Sequence, residues 1–185
     1  MSKIHVVLFE PEIPQNAGNI MRTCVAFDCS LHLIGPLGFD IDNPKFRRAT
    51  TGHITWAEYE MHDSYESFAQ ACGGKSEFYF MTRYGKVPPS DIDFRATDPA
   101  KDIYLIFGKE STGIPYEILA AHMDRCFRIP MAASCRSLNL SNAVAIAIYE
   151  CSKQIGFPGT SFTEVIKGED FLDKYSYDGA LNAES

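Results

Sequence analysis

The sequence lacks paired cysteines. Cys24, Cys29, Cys72, Cys126, Cys135 and Cys151 form no C-x-x-C motif, which removes the usual zinc-ribbon and thioredoxin-like readings. Most lie in apolar runs, where a free thiol behaves as a small hydrophobe, so they read as reduced and the chain as cytoplasmic. The start, MSKIHVVLFEPE, reaches an acidic residue too early for a signal peptide and has no small-residue cleavage pattern. No apolar run approaches the length of a membrane span, so no membrane partner is expected. A P-loop, a G-x-G-x-x-G after the first strand and a G-x-S-x-G elbow are also missing. These absences disfavour a nucleotide-hydrolysing site, a standard dinucleotide or Rossmann methyltransferase site, and a standard hydrolase. His5, His32, His53, His62 and His122 show no metal-ligand spacing, so no metal is expected.

At 185 residues, with 45% hydrophobic and 22% charged residues, the chain suits one ordinary globular domain with a core that needs no disulfide or metal. Its net charge of −7 opposes a nucleic-acid partner, since phosphate neutralisation is usually the largest source of affinity. The distribution softens this: residues from Glu164 onward carry −4, leaving −3 on the body. Within that body KFRRATTGH (45 to 53) and RYGK (83 to 86) are basic, although either cluster taken alone reads more readily as solvated surface charge.

Short runs rich in Val, Ile, Leu and Phe alternate with helix-like segments, which predicts a mostly parallel α/β sheet flanked by helices. Strands are predicted at 4–10, 31–36, 77–83, 102–108 and 126–131, with a shorter one near ITWAEY. Helices are predicted from Asn16, from Ser64, after Pro115 and from Leu140 to Gln154, where GFPG ends the last one. That helix is apolar nearly all round. Leu140, Val144, Ile148, Cys151 and Ile155 form one stripe, and Ala143, Ala145, Ile146 and Ala147 leave little polar face before Tyr149 and Glu150. Such a helix needs cover on two sides, from a monomer core or from a second subunit. Residues 1–159 read as one domain and 160–185 as an acidic tail or short docked helix.

Three polar loops follow predicted strands, where open α/β sheets bind ligands. In PEIPQNAGNIMRTC, Asn16 is positioned to cap the helix, with Asn19 and Arg22 on the next turn. In IFGKESTGIPYE, Gly108 permits close approach by a ligand, Gly113 permits a positive φ, and Glu110 lies between them. In RIPMAASCRSLNLSNAVAIAIYE, Ser134, Ser137, Asn139, Ser141 and Asn142 crowd the start of the long helix. One cap would suffice there, so the surplus suggests groups shaped around a polar ligand or a multiply bonded turn.

In this order the three loops resemble the signature motifs of the SPOUT methyltransferases, over nearly all of residues 3 to 159, and most of all the bacterial tRNA wobble-nucleotide 2'-O-methyltransferase group. The resemblance implies a C-terminal deep trefoil knot and a homodimer packed through helix 140–154. It also implies S-adenosylmethionine held by Met81, Thr82, Gly108, Glu110, Gly113, Ile129, Met131, Ser137, Leu138 and Asn142. Arg22 matches the family's catalytic arginine, supported by Asn16, Glu110, Ser137 and Asn139. A guanidinium is effectively always protonated, so orienting the hydroxyl and stabilising a developing alkoxide suits Arg22 better than a general-base role. The implied substrate is the wobble nucleotide (position 34) in the anticodon stem-loop of tRNA, chiefly leucine tRNAs. Arg22, Lys45, Arg47, Arg48, Arg83, Lys86 and Lys109 are the implied RNA contacts.

Lys109 and Thr112 depart from the family pattern, which often has Pro and Arg there. Only three residues precede the first predicted strand, which favours a minimal tRNA enzyme over one with an N-terminal recruiting domain. The alternatives are methylation of another tRNA or rRNA nucleotide, a non-catalytic RNA-binding or assembly factor, and a generic α/β cofactor binder.

Overall fold

The computed structural model describes residues 2–174. Its centre is β1 (Ile4–Phe9), whose IHVVLF sequence is apolar on both faces because both faces are covered. Ile4, Val6 and Leu8 point into one core and Val7 and Phe9 into the other, following the two-residue alternation of a strand. Around it lie β2 (Ser30–Ile34), β3 (Tyr59–His62), β4 (Ser76–Met81), β5 (Asp102–Phe107) and β6 (Cys126–Phe127). All pair in parallel, in the order β3-β2-β1-β5-β4-β6.

Helices α1 (Pro14–Ala26), α2 (Pro44–Thr50) and α5 (Leu140–Gln154) supply Ile20, Met21, Phe46, Val144 and Ile148 to the first core. Helices α3 (Tyr65–Cys72) and α4 (Tyr116–Ala121) supply Phe68 and Leu119 to the second. The order of strands reverses between β1 and β5, and ligands of such sheets bind at that switch point, beyond the strands' carboxyl ends.

The predicted parallel sheet is present, with several boundaries moved. Glu10 takes a φ of 45°, a left-handed turn that stops β1 one residue early. The last strand is shorter than 126–131 because Arg128 donates to the Val87 carbonyl instead of continuing beside β4. Residues 82–88 press on this crossing so tightly that a Cβ on Gly85 would lie 2.2 Å from the Phe127 carbonyl carbon. The strand near ITWAEY falls at Tyr59–His62, after a 3-10 turn over His53–Thr55. The basic run beginning at Lys45 forms α2, with Asn43 as its cap.

The long helix spans the predicted residues, and it is not buried all round. Val144, Ile148 and Cys151 are fully buried, whereas Ile146 is 43% and Tyr149 53% exposed. The described residues therefore leave one apolar face of α5 uncovered. All six cysteines are free thiols. Of the acidic tail, residues 160–174 include a 3-10 turn at Phe171–Lys174, and Phe162 and Ile166 stand exposed; the remainder of that segment lies outside the described residues. No helix among the described residues is long and apolar enough to cross a membrane.

Candidate active site

Helix α1 begins at Pro14, where the missing N–H costs nothing. Asn16 therefore lies inside the helix and does not cap it, contrary to the expectation from sequence. Its side chain, on a residue only 5% exposed, is a bridge. Asn16 Nδ2 donates to Glu110 Oε1 at 2.8 Å, and Asn16 Oδ1 accepts from Asn139 Nδ2 at 3.0 Å. Three loops are thereby joined through one amide.

Each partner is itself fixed. Asn139 caps α5, its Oδ1 accepting from the Ser141 N–H at 2.9 Å and from Ser141 Oγ at 2.7 Å. Glu110 accepts from the Glu12 N–H at 2.9 Å and the Ile13 N–H at 3.3 Å, placing negative charge at the positive end of α1. With these and Asn16, the carboxylate receives three hydrogen bonds, which suits it to holding the loops in place. Glu12 returns the contact by accepting from the N–H and hydroxyl of Ser111.

Lys109, one of the departures from the family pattern, donates to Glu10 Oε2 at 2.6 Å. That hydrogen bond raises the pKa of its ammonium. Its charge is largely committed to the neighbouring loop.

The joined loops border a cleft of about 580 Å³, within the ordinary size range of small-molecule sites. Of the residues expected to hold a cofactor, Met81, Thr82, Gly108, Glu110, Gly113, Ile129, Met131, Ser137 and Leu138 line it, and Asn142 does not. Asn142 is exposed on the first turn of α5. Gly113 has the positive φ read from sequence, at +78°. At Gly108 the close approach is made by the loop itself, since a Cβ there would lie 2.1 Å from the Gly113 carbonyl carbon.

Asn16, Glu110, Ser137 and Asn139 all border the cleft, and Arg22 does not. Arg22 is exposed on α1, and among the described residues its guanidinium has no ion-pair or hydrogen-bond partner. Lys45, Arg47 and Arg48 are exposed on α2, with Arg47 paired to Asp42. Arg83 lines the cleft, and Lys86 is exposed on the same loop.

Among the cleft residues not expected from the sequence are Arg128, Arg136, Tyr84 and Tyr116. Arg128 and Arg136 add cations without ion-pair partners among the described residues. Tyr84 and Tyr116 form an edge-to-face pair with hydroxyls 3.3 Å apart, a contact that raises the Tyr116 pKa. Each of the four sits inside or beside one of the three polar loops or RYGK, where charge is a more conspicuous local signal than the ring.

The cleft suits an adenosyl group. Met81, Ile129, Met131 and Leu138 offer an apolar lining, while Thr82, Ser137 and Asn139 offer polar groups within the same walls.

Comparison with known proteins gives the same direction. A Geobacillus stearothermophilus protein, with the provisional name tRNA (cytidine(34)-2'-O)-methyltransferase, is 48% identical over 158 residues, covering 85% of this chain and 99% of its own. A structure concerned with 2-OH methylation of C/U34 on tRNA superposes with a TM-score of 0.77 at 39% identity, covering 83% of this chain and 97% of that one. The AdoMet-bound rRNA methyltransferase from Sinorhizobium meliloti superposes with a TM-score of 0.73 at 27% identity, over 83% of this chain and 57% of that one. The model of the SpoU rRNA Methylase family matches residues 3–149, and the chain belongs to that family.

Proposed function

We propose that this chain transfers a methyl group from S-adenosylmethionine to the ribose 2'-oxygen of nucleotide 34 of tRNA, a cytidine or modified uridine, with leucine tRNAs as the first isoacceptors to test. The observation that carries this reading is the Glu110–Asn16–Asn139 bridge at the edge of a cofactor-sized cleft. The names of the relatives supply the position.

Bound in the cleft, S-adenosylmethionine supplies an activated methyl group. The chain's own residues hold the geometry: Met81, Ile129 and Leu138 exclude water from the apolar side, and the bridged loops keep Ser137 and Asn139 beside the reacting region. Positioning of this kind supplies a large share of rate in displacement reactions. Arg22 is assigned to the substrate, orienting the ribose hydroxyl and countering the charge that develops on its oxygen. We read the crossing of residues 82–88 with Phe127 and Arg128 as part of a trefoil knot, and the uncovered face of α5 as a homodimer contact. The site of action is the cytoplasm.

RNA recognition follows from the rim. Arg83, Arg128 and Arg136 offer positive charge to phosphates despite the negative total, and the Tyr84–Tyr116 pair offers rings to an unstacked anticodon-loop base. Lys45, Arg48 and Lys86 extend this to the flanking stem.

The test is nucleoside mass spectrometry of tRNA incubated with the protein and S-adenosylmethionine, on unmodified transcripts and on tRNA from cells lacking the enzyme. A 2'-O-methylated nucleotide 34 is expected. Arg22→Ala lowers its rate on the order of 100-fold while leaving stability within about 0.5 kcal/mol, because the residue is exposed. Arg22→Lys restores only part, since an ammonium lacks the planar donor fork. Product on rRNA alone overturns the substrate, and product on neither overturns the enzyme.

A further inference from the structure

At the edge of the second core, against Phe68, lies a group of polar side chains that the methyl-transfer reading does not use. On adjacent strands, β2 contributes His32 and β3 contributes Glu60 and His62. None of them lines the cleft. His32 Nδ1 lies 3.0 Å from His62 Nε2, and Glu60 Oε2 lies 3.8 Å from each of those two nitrogens. The geometry points to a divalent metal site formed by His32, Glu60 and His62, suited to zinc or a similar borderline cation.

The distances decide between this and a simple hydrogen bond. Two neutral imidazoles 3.0 Å apart share one N–H···N bond, which accounts for the histidines alone; Glu60 Oε2, at 3.8 Å from both nitrogens, is beyond hydrogen-bond reach of either and is open to water or to a shared ion. A triangle with sides of 3.0, 3.8 and 3.8 Å has its equidistant point about 2.1 Å from every corner. Zinc bonds to imidazole nitrogen and carboxylate oxygen are roughly 2.0–2.2 Å long. One ion therefore explains all three separations. Two nitrogens and one oxygen match its preference, and Glu60, with 67% of its side chain exposed, leaves room for water as a fourth ligand.

The surroundings fit the same reading. His32 Nε2 lies 2.9 Å from His5 Nδ1, and His5 Nε2 lies 3.7 Å from Asp102 Oδ2. If His32 binds metal through Nδ1, its Nε2–H donates to His5 Nδ1, while His5 Nε2, at that distance from Asp102, makes no hydrogen bond among the described residues. The hydrogen bond from its second ring nitrogen to His5 would fix the tautomer and orientation of a metal-bound His32. Phe68 stands against both ligand rings and closes the apolar side. The ion would clip β3, a four-residue strand at the edge of the sheet, to its neighbour. Edge strands need such protection.

The test uses full-length, untagged protein stripped with a chelator, titrated with Zn²⁺ by calorimetry and with Co²⁺ by visible absorption. One ion per chain is expected, with a rise in melting temperature and cobalt bands of a four-coordinate site. His62→Ala and Glu60→Gln should each weaken binding at least about tenfold, the scale that even outer-shell changes produce, while His53→Ala should not. Glu60 is exposed, so Glu60→Gln remains folded and informative if His62→Ala is not. Absence of one-to-one binding, or wild-type affinity in Glu60→Gln, overturns the site. These readouts are independent of methyl transfer.

Discussion

Asn139 Nδ2 donates to Asn16 Oδ1 at 3.0 Å across 123 positions of sequence, and Asn16 passes the contact to Glu110 through its other amide atom. An amide is the side chain for this position because it donates at one atom and accepts at the other. Asn16→Ala leaves a donor on Asn139 and an acceptor on Glu110 without this partner. The expected loss is about 1–3 kcal/mol, or a melting temperature lower by about 2–4 °C per kcal/mol for a chain of this size. Methyl transfer should fall further than stability alone explains. Urea unfolding beside a turnover assay checks both, and an Asn16→Ala protein with wild-type stability and turnover would show that the bridge does not hold the three loops together.

Gly108 and Gly113 face each other across one loop, and they should fail differently. A Cβ on Gly108 meets backbone atoms of Gly113 and Ile114 at 2.1 and 2.3 Å, whereas one on Gly113 meets nothing within 4 Å and suffers only from its φ of +78°. Gly113→Ala should cost about 1–2 kcal/mol. Gly108→Ala must open the loop, so cofactor affinity measured by calorimetry should drop more in it than in Gly113→Ala. Equal losses would mean that the close approach at Gly108 has no bearing on the cleft.

Thiol reactivity divides the cysteines. Burial pushes Cys24 and Cys151 well up, and Cys29 up to about 12, so these thiols stay protonated and inert. Cys135 is exposed, with its Sγ 3.7 Å from the Ser137 carbonyl beside the cleft. A maleimide at pH 7.5 should therefore attach first at Cys135 and slow methyl transfer, with Cys24, Cys29 and Cys151 reacting only after unfolding. Peptide mass mapping checks the order; first labelling at Cys29 would contradict the burial.

What the sequence disclosed follows from how local each signal was. Helix α5 was legible to the residue because its apolar run, its Asn139 cap and the Gly after it are all consecutive. Helix α2 was not, since KFRRAT has only Phe46 as a buried apolar anchor. The convergence of three loops was visible because each followed a strand, but the bond from Asn16 to Asn139 was not, and a capping role was the only one its local context suggested. The His32, Glu60 and His62 group escaped for a related reason. Its members meet through the pairing of β2 with β3, so their spacing along the chain carries no ligand pattern.

The uncovered face of α5 gives the last prediction. Ile146 and Tyr149 stand beside Phe27, Ala145 and Pro89 around a shallow apolar depression of about 440 Å³, and Tyr149 packs edge-on against Phe27 and Phe157. Apolar side chains that are half exposed at the same helix face are costly to leave in water, at about 25 cal/mol per Å². A second copy of the chain, packed through the same helix, would bury both sets at once, as twofold contacts do. Neither side chain belongs to the cleft, so charge placed here should act on assembly before chemistry. Ile146→Glu combined with Tyr149→Glu should convert a dimer into a folded monomer by light scattering, with circular dichroism unchanged. A wild-type monomer, or a double variant that stays dimeric, would place the subunit contact elsewhere and leave this face to another partner.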